Sequence, residues 1–421
     1  MLKTVFAATM AFATFAVALE PGKDTAGKPI RIAACDEHVQ SHKRGVCANA
    51  LDDGDFKALA PGVSWWYNWH FKPSSTPPAG VNIEFLPMGW TDTPERLQGL
   101  DDYLAAGNKP RAVLAINEPN LRGQAFISPE HTAELYKKIK AIADKYNLPV
   151  IGPQMALGSP GNDSITADDP ITGKKTTYTF MLPFLEATQF YLKPEKFNQV
   201  AWHSYGNIYE LRHFVDTMGK QFGPTWVTEY AQWKTKNDAE ALKYLMQSTD
   251  YLERSPDVVG YAWFKERVKG NPRISLLNKG SGDLTIFGKA YVNLPPHDAD
   301  LYYKLPGKLS AANYTTLNDA EIAPAEESDA LAEMTSEKPA ATLNYNVVGP
   351  ADGDYKIALR VRGKPGNTFE LQHGGGNIRL DAKSDGWQTI TNHLSLHAGA
   401  QTLKLGMADK GQAVAWIEFS K

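Results

Sequence analysis

The sequence predicts an α/β chain: a (β/α)8 TIM barrel over residues 19–300, then an all-β sandwich over residues 301–421, behind a signal peptide at residues 1–18. Three observations carry this. Eight short β-rich runs alternate with amphipathic helical stretches, a proline-rich boundary follows them, and beyond it come short alternating strands without a helix. At 421 residues the chain is also longer than one core usually organises.

The first residues read as an export segment. Lys3 supplies the positive charge, Val5 to Val17 form an almost unbroken apolar run, and Ala16-Val17-Ala18 fits the small-x-small cleavage rule. The run is too short to span a bilayer, and no later segment approaches twenty apolar residues. A secreted protein, extracellular or periplasmic, is the expectation. Export would let the two cysteines, Cys35 and Cys47, pair in an oxidising compartment; two free buried thiols are the alternative. Two cysteines without matching histidines do not make a zinc site.

The candidate strands are Arg44 to Cys47, Val63 to Trp69, Ile83 to Met88, Ala112 to Asn117, Val150 to Met155, Val200 to Tyr205, Thr225 to Tyr230 and Val258 to Phe264. Between them, Thr93-Pro94-Glu95 reads as an N-cap, a first-turn proline and an acid that suits the helix dipole. Leu97, Leu100 and Leu104 follow on one face, and Gly107 ends that helix. Ser128-Pro129-Glu130 repeats the signal ahead of Leu135, Ile139, Ile142 and Tyr146, and a further helix begins near Asp238. Eight such units in about 250 residues favour a closed barrel over a doubly wound sheet. No glycine-rich phosphate fingerprint follows the first strand.

Pro295, Pro296 and Pro306 mark the boundary. Beyond it Asp354 to Val361, Thr368 to Leu371, Trp387 to Thr391, Thr402 to Leu405 and Val414 to Phe419 alternate as strands of a sandwich. Acids between Glu321 and Glu337 read as a solvated face or loop, and Ser159 to Lys175 as a long loop.

A formal charge of −3, from 44 basic and 47 acidic residues, offers no basic patch for a polyanion or a membrane surface. A neutral polymer fits it, and ten tryptophans suit sugar rings, which stack their C–H faces on such side chains. Neither nucleic acid nor membrane is an expected partner, and a monomer is expected. No His-Glu-x-x-His occurs and no Gly-x-Ser-x-Gly, so neither metal nor serine-triad chemistry is indicated, and no cofactor is called for.

In a barrel, catalytic groups sit where strands end and loops begin. The fourth strand ends Ile116-Asn117-Glu118-Pro119 and the seventh Val227-Thr228-Glu229-Tyr230. Two carboxylates so placed are what glycosidic cleavage needs: one protonates the departing oxygen and the other attacks or stabilises the anomeric carbon. Asn117 suits a hydrogen bond to the sugar 2-hydroxyl. Aromatic residues crowd the same strand ends: Trp65, Trp66, Tyr67 and Trp69 on the second, Trp90 after the third, Trp202, His203 and Tyr205 on the sixth, and Tyr261, Trp263 and Phe264 on the eighth. Alternation puts Trp65, Tyr67 and Trp69 on one face and Trp66, Asn68 and His70 on the other. Trp226 opens its strand and reads as packing, and His203 could tune a carboxylate or be a satisfied core histidine.

From Lys43 to about Asn293 these motifs resemble glycoside hydrolase family 128, a β-1,3-glucanase family of clan A. Carriers of the resemblance are Trp66-Tyr67-Asn68-Trp69, Phe85-Leu86-Pro87-Met88, Leu114 to Pro119, Gly152-Pro153-Gln154, Trp202-His203-Ser204-Tyr205, Val227 to Tyr230 and Gly260 to Phe264. The resemblance implies retaining hydrolysis of β-1,3-glucan, with Glu118 as acid/base and Glu229 as nucleophile. It also implies a glucan cleft onto which Trp66, Asn68, Trp90, Gln154, His203, Tyr205 and Trp263 map, with Trp69 beside them at the strand end. Endo action is the expected mode. The C-terminal part is similar to carbohydrate-binding modules of families 6 and 35, through Asp319-Ala320-Glu321, Gly386-Trp387 and Ala415-Trp416-Ile417. Sugar binding, calcium binding and a structural role stay open for it. Two alternatives remain for the whole: a clan A hydrolase of β-1,4-glucan or mannan, and a glucan-binding protein with little turnover.

Overall fold

The computed structural model describes residues 20–326, 329–374 and 376–421; the expected signal peptide at residues 1–18 lies outside them. Its centre is a mixed α/β unit built on a curled parallel sheet of nine strands. From one edge to the other these are Glu84–Phe85, Trp65–Tyr67, Arg44–Cys47, Val258–Phe264, Thr225–Tyr230, Gln199–Ser204, Val150–Ala156, Val113–Ala115 and Met88–Gly89. The expected run Ile83 to Met88 is therefore two strands, because Pro87 has no N–H to give to the ladder. Only Leu86 and Pro87 part these outermost strands; Leu86 N donates to Trp66 O at 3.0 Å, and Pro87 O accepts from Leu114 N at 2.9 Å.

Alternation sorts the side chains as the sequence requires. Trp65 and Tyr67 join Leu114, Ala201 and Trp226 in a cluster on the concave face. That cluster is tight enough that a Cβ on Gly45 would sit 2.3 Å from the Trp65 ring. Trp66 points the other way, edge-on to Phe56 and Phe85 at centroid distances of 5.5 and 5.1 Å. Seven α-helices flank the sheet among the described residues. Ser128, Asn207, Asn237 and Thr285 cap four of them through their side chains, whereas Thr93, expected to cap Pro94–Ala105, makes no such bond. The expected loop from Ser159 to Lys175 contains a hairpin, Ile165–Asp169 against Lys174–Tyr178.

The C-terminal part is two further β-sheets without a helix among the described residues. Two findings depart from expectation. The hairpin Glu20–Lys23 and Pro29–Ala34, assigned by sequence to residues 19–300, pairs with the sandwich: Pro29–Ala34 runs parallel to Leu301–Lys304, Arg31 opposite Leu301. The acidic stretch is strand rather than loop for much of its length, with Glu326, Asp329 and Glu337 on a solvated face as the other reading expects. It holds the paired strands Ala320–Pro324 and Ala332–Ser336, and Glu333 is buried with its carboxylate 2.7 Å from Arg362 Nη2. The two units share a polar seam. Asp250, buried on the helix Asp238–Arg254, accepts from Tyr314 Oη at 2.6 Å and meets His297 Nε2 at 2.9 Å. Cys35 and Cys47 are both free and buried, so the pairing expected under oxidising conditions is absent here.

Candidate active site

The strands Val113–Ala115 and Thr225–Tyr230 carry Glu118 and Glu229 to the same end of the sheet. Beyond Ala115 the chain turns sharply: Ile116 and Glu118 adopt positive φ of 54° and 44°, and Glu118 N donates to Gln154 O at 2.7 Å. Left-handed backbone at a residue with a Cβ costs about 1–2 kcal/mol. Such cost gathers where side-chain aim matters. Both glutamates open onto one cleft of about 720 Å³ while only 7% and 5% exposed.

Their partners differ. Glu229 is held by neutral donors: Trp69 Nε1 to Oε1 at 2.8 Å and Tyr205 Oη to Oε2, with Tyr67 Oη 3.2 Å from Oε1 sharing its one proton with Thr228 O at 3.0 Å. Glu118 Oε1 meets His203 Nδ1 at 2.7 Å, and the same nitrogen lies 3.5 Å from Glu229 Oε2. One oxygen of each glutamate and a ring nitrogen of His203 fall within 4.8 Å of one another, the one group of three such ligands among the described residues. Distances alone would admit a cation. Within the chain these atoms already have partners: Glu229 accepts from Trp69 and Tyr205, and His203 Nδ1 lies 2.7 Å from Glu118 Oε1.

Burial opposes charge on His203, yet the Glu229 charge and the Glu118 hydrogen bond outweigh it and raise the imidazole pKa above its ordinary value. Burial and then the Glu229 charge push the Tyr205 hydroxyl far up, so it stays a donor to the carboxylate. The same holds for Tyr67, where burial leads and Cys47 and Glu229 follow.

Of the residues expected at the site, Asn117, Trp69, Trp90, His203 and Tyr205 line the cleft with the two glutamates. Asn117 gives its amide N–H to Gln124 at 3.0 Å, while its buried carbonyl oxygen has no protein partner. Four others do not line it. Trp66 faces the helices, as alternation dictates. Asn68 turns to the backbone of Lys72 at 3.2 Å. Gln154 is wholly buried and accepts from Thr228 Oγ1 at 2.6 Å, one residue from Glu229. Trp263 gives its indole N–H to Ile274 O at 2.7 Å inside the core. Sequence reasoning missed Gln124, Glu210, Trp233 and the buried Tyr67 as neighbours of the glutamates. The face shared by Trp65, Tyr67 and Trp69 was the signal that could have found Tyr67.

Residues 45–291 match the glycosyl hydrolase catalytic core family. Among solved structures, the chain is similar to a GH128 subgroup II endo-β-1,3-glucanase from Pseudomonas viridiflava, with 30% identity and a TM-score of 0.51 over 61% of this chain and 100% of that one. A GH128 subgroup II endo-β-1,3-glucanase from Sorangium cellulosum is 28% identical, with a TM-score of 0.52 over the same shares. No curated protein matches the chain.

Proposed function

The chain belongs to the glycosyl hydrolase catalytic core family and, through its likeness to the Pseudomonas enzyme, to glycoside hydrolase family 128; from that premise we propose that it hydrolyses β-1,3-glucan by retaining double displacement. In the first step Glu118 protonates the departing glycosidic oxygen while Glu229 attacks the anomeric carbon. In the second, Glu118 takes a proton from water as that water displaces Glu229. One observation carries this reading: an oxygen of each carboxylate lies within 4.8 Å of the other across a single aromatic-walled cleft. Retaining pairs stand about 5–5.5 Å apart, whereas inverting pairs need about 6.5–9.5 Å to admit a water. The hydrogen bonds that Glu229 accepts from Trp69 and Tyr205 fix the direction in which its carboxylate faces the cleft. Asn117, with its free buried carbonyl oxygen, is the group to receive the sugar 2-hydroxyl.

Endo action follows the two relatives. The run of eight consecutive parallel neighbour pairs, with outer strands parted by two residues, supports reading the curled sheet as a (β/α)8 barrel closing through Glu84 to Gly89. Export through residues 1–18 and action as a monomer complete the reading. A carbohydrate-binding role for the sandwich has less support. Trp416 gives its N–H to Asp329 at 3.0 Å beneath the Lys308 ammonium at 4.1 Å from its ring centroid, and Trp387 gives its N–H to Glu326 at 3.2 Å. The test is a product time course on laminarin, carboxymethylcellulose and mannan for the wild type and Glu229→Gln. Oligosaccharides from laminarin alone, abolished by the substitution, are expected; intact laminarin, or equal release by the variant, would refute the reading.

A further inference from the structure

The cleft holds a third carboxylate that the two catalytic steps do not use. Glu210 lies in the first turn of the helix Ile208–Phe222 and lines the cleft beside Tyr205, Gly206 and Trp233. An acid at this helix position often reaches back to the cap residue's N–H. Here the cap runs only one way: Asn207 Oδ1 accepts from Tyr209 N at 2.9 Å and Glu210 N at 3.1 Å. Among the described residues the Glu210 carboxylate makes no hydrogen bond and no ion pair. Its place is cut out for it, since a Cβ on Gly206 would fall 1.7 Å from its Oε1.

Beside it, Trp233 is 41% exposed, unusually open for so large an apolar side chain. Its ring leans on Tyr205 and Phe264, each at a centroid distance of 6.0 Å, so it is held as a platform rather than left loose. An unpaired carboxylate next to an open indole matches one ligand chemistry well: a pyranose lays its C–H face on the ring and donates hydroxyls to the acid. Bonds to an ionised acceptor are roughly twice as strong as neutral ones. Among the described residues the cleft lining contains three acids and neither lysine nor arginine, while Lys265 and Arg96 stack on the Trp69 and Trp90 rings; beside Glu210 itself a sugar bearing its own carboxylate is disfavoured.

We propose that Glu210 and Trp233 form a hydroxyl-reading subsite that selects neutral glucose units, with Glu210 as its specificity-determining residue. The proposal rests on reading the cleft as that of a β-glucanase. It is tested by steady-state kinetics on laminarin and on laminarin oxidised to the uronate at C6, for the wild type, E210A, E210Q, G206A and the G206A/E210A double variant, with thermal unfolding of each. Expected are a KM on laminarin raised about tenfold by E210A with kcat within about threefold, and partial retention in E210Q. G206A should match E210A, because its methyl group displaces the same carboxylate, and the double variant should be no worse than either single one. E210Q should narrow the preference for laminarin over the oxidised polymer. Folded variants with wild-type KM would overturn the proposal, as would a lowered unfolding temperature with unchanged KM, which marks a helix-stabilising acid only. A wild type inactive on laminarin would sink the glucanase reading as well, so the two failures are distinguishable.

Discussion

At the end of the curled sheet where its strands begin, charge is buried with every group answered. Arg44, wholly buried, places Nη2 3.1 Å from Glu253, donates Nε–H to Tyr261 Oη at 3.0 Å, and gives Nη1 to the carbonyls of Tyr291 and Leu294 at 2.7 and 2.8 Å. Ser41 closes the cluster on the other oxygen of Glu253 at 2.6 Å. At the opposite end two carboxylates are equally hidden, yet among the described residues no lysine or arginine lines their cleft, and a buried histidine nitrogen and an asparagine oxygen are left without protein partners. The first arrangement is complete in itself and holds strands together. The second is complete only when something else enters. The two ends of one sheet thus differ in whether their buried polar groups are satisfied from within the chain.

The sharpest way to break the comparison is to remove charge from each end in turn. Glu229→Gln should lower kcat on laminarin at least about a thousandfold while the variant stays folded, because it removes the attacking oxygen. A variant that loses stability instead would place Glu229 with the structural charges. Arg44→Met should do the reverse. It strands Glu253 without its cation, and urea unfolding should register a loss of about 3–5 kcal/mol, with KM of the folded enzyme unchanged.

A smaller effect separates the two ends by pH. The folded-state pKa of His203 is raised from the ordinary 6.5, so its protonated form adds stability that is fully present below that value. The contribution fades as pH rises through the folded-state pKa. The stability difference between wild type and His203→Asn should therefore be greatest in mildly acidic buffer and shrink above neutrality. A difference that grows with pH would mean that the imidazole is buried neutral. The smallest expected effect is at Asn68, whose side chain serves its own loop: Asn68→Ala should change KM on laminarin less than about twofold, where Trp69→Ala next door should change it severalfold.

Much of this was legible in the sequence, for identifiable reasons. Glu118 and Glu229 end hydrophobic runs, so strand topology alone brings them together. Period-two alternation separated Trp66 from the face shared by Trp65, Tyr67 and Trp69, and the structure keeps that separation. Motif likeness pulled the other way and placed Trp66, Gln154 and Trp263 at the cleft, where each instead serves the core. Glu210 and Trp233 escaped notice because they follow their strands on irregular or newly helical chain, where no period shows which way a side chain turns. The pairing of Pro29–Ala34 with Leu301–Lys304 was out of reach, since nothing local in either segment specifies a partner so far along the chain.

The most direct test is proton NMR of the anomeric signals during the first minutes of laminarihexaose cleavage, before mutarotation. With one oxygen of each carboxylate within 4.8 Å of the other, the proposed double displacement predicts that the β-anomer of the new reducing end appears first. Initial release of the α-anomer would mean a single inversion, and Glu229 would not be a nucleophile.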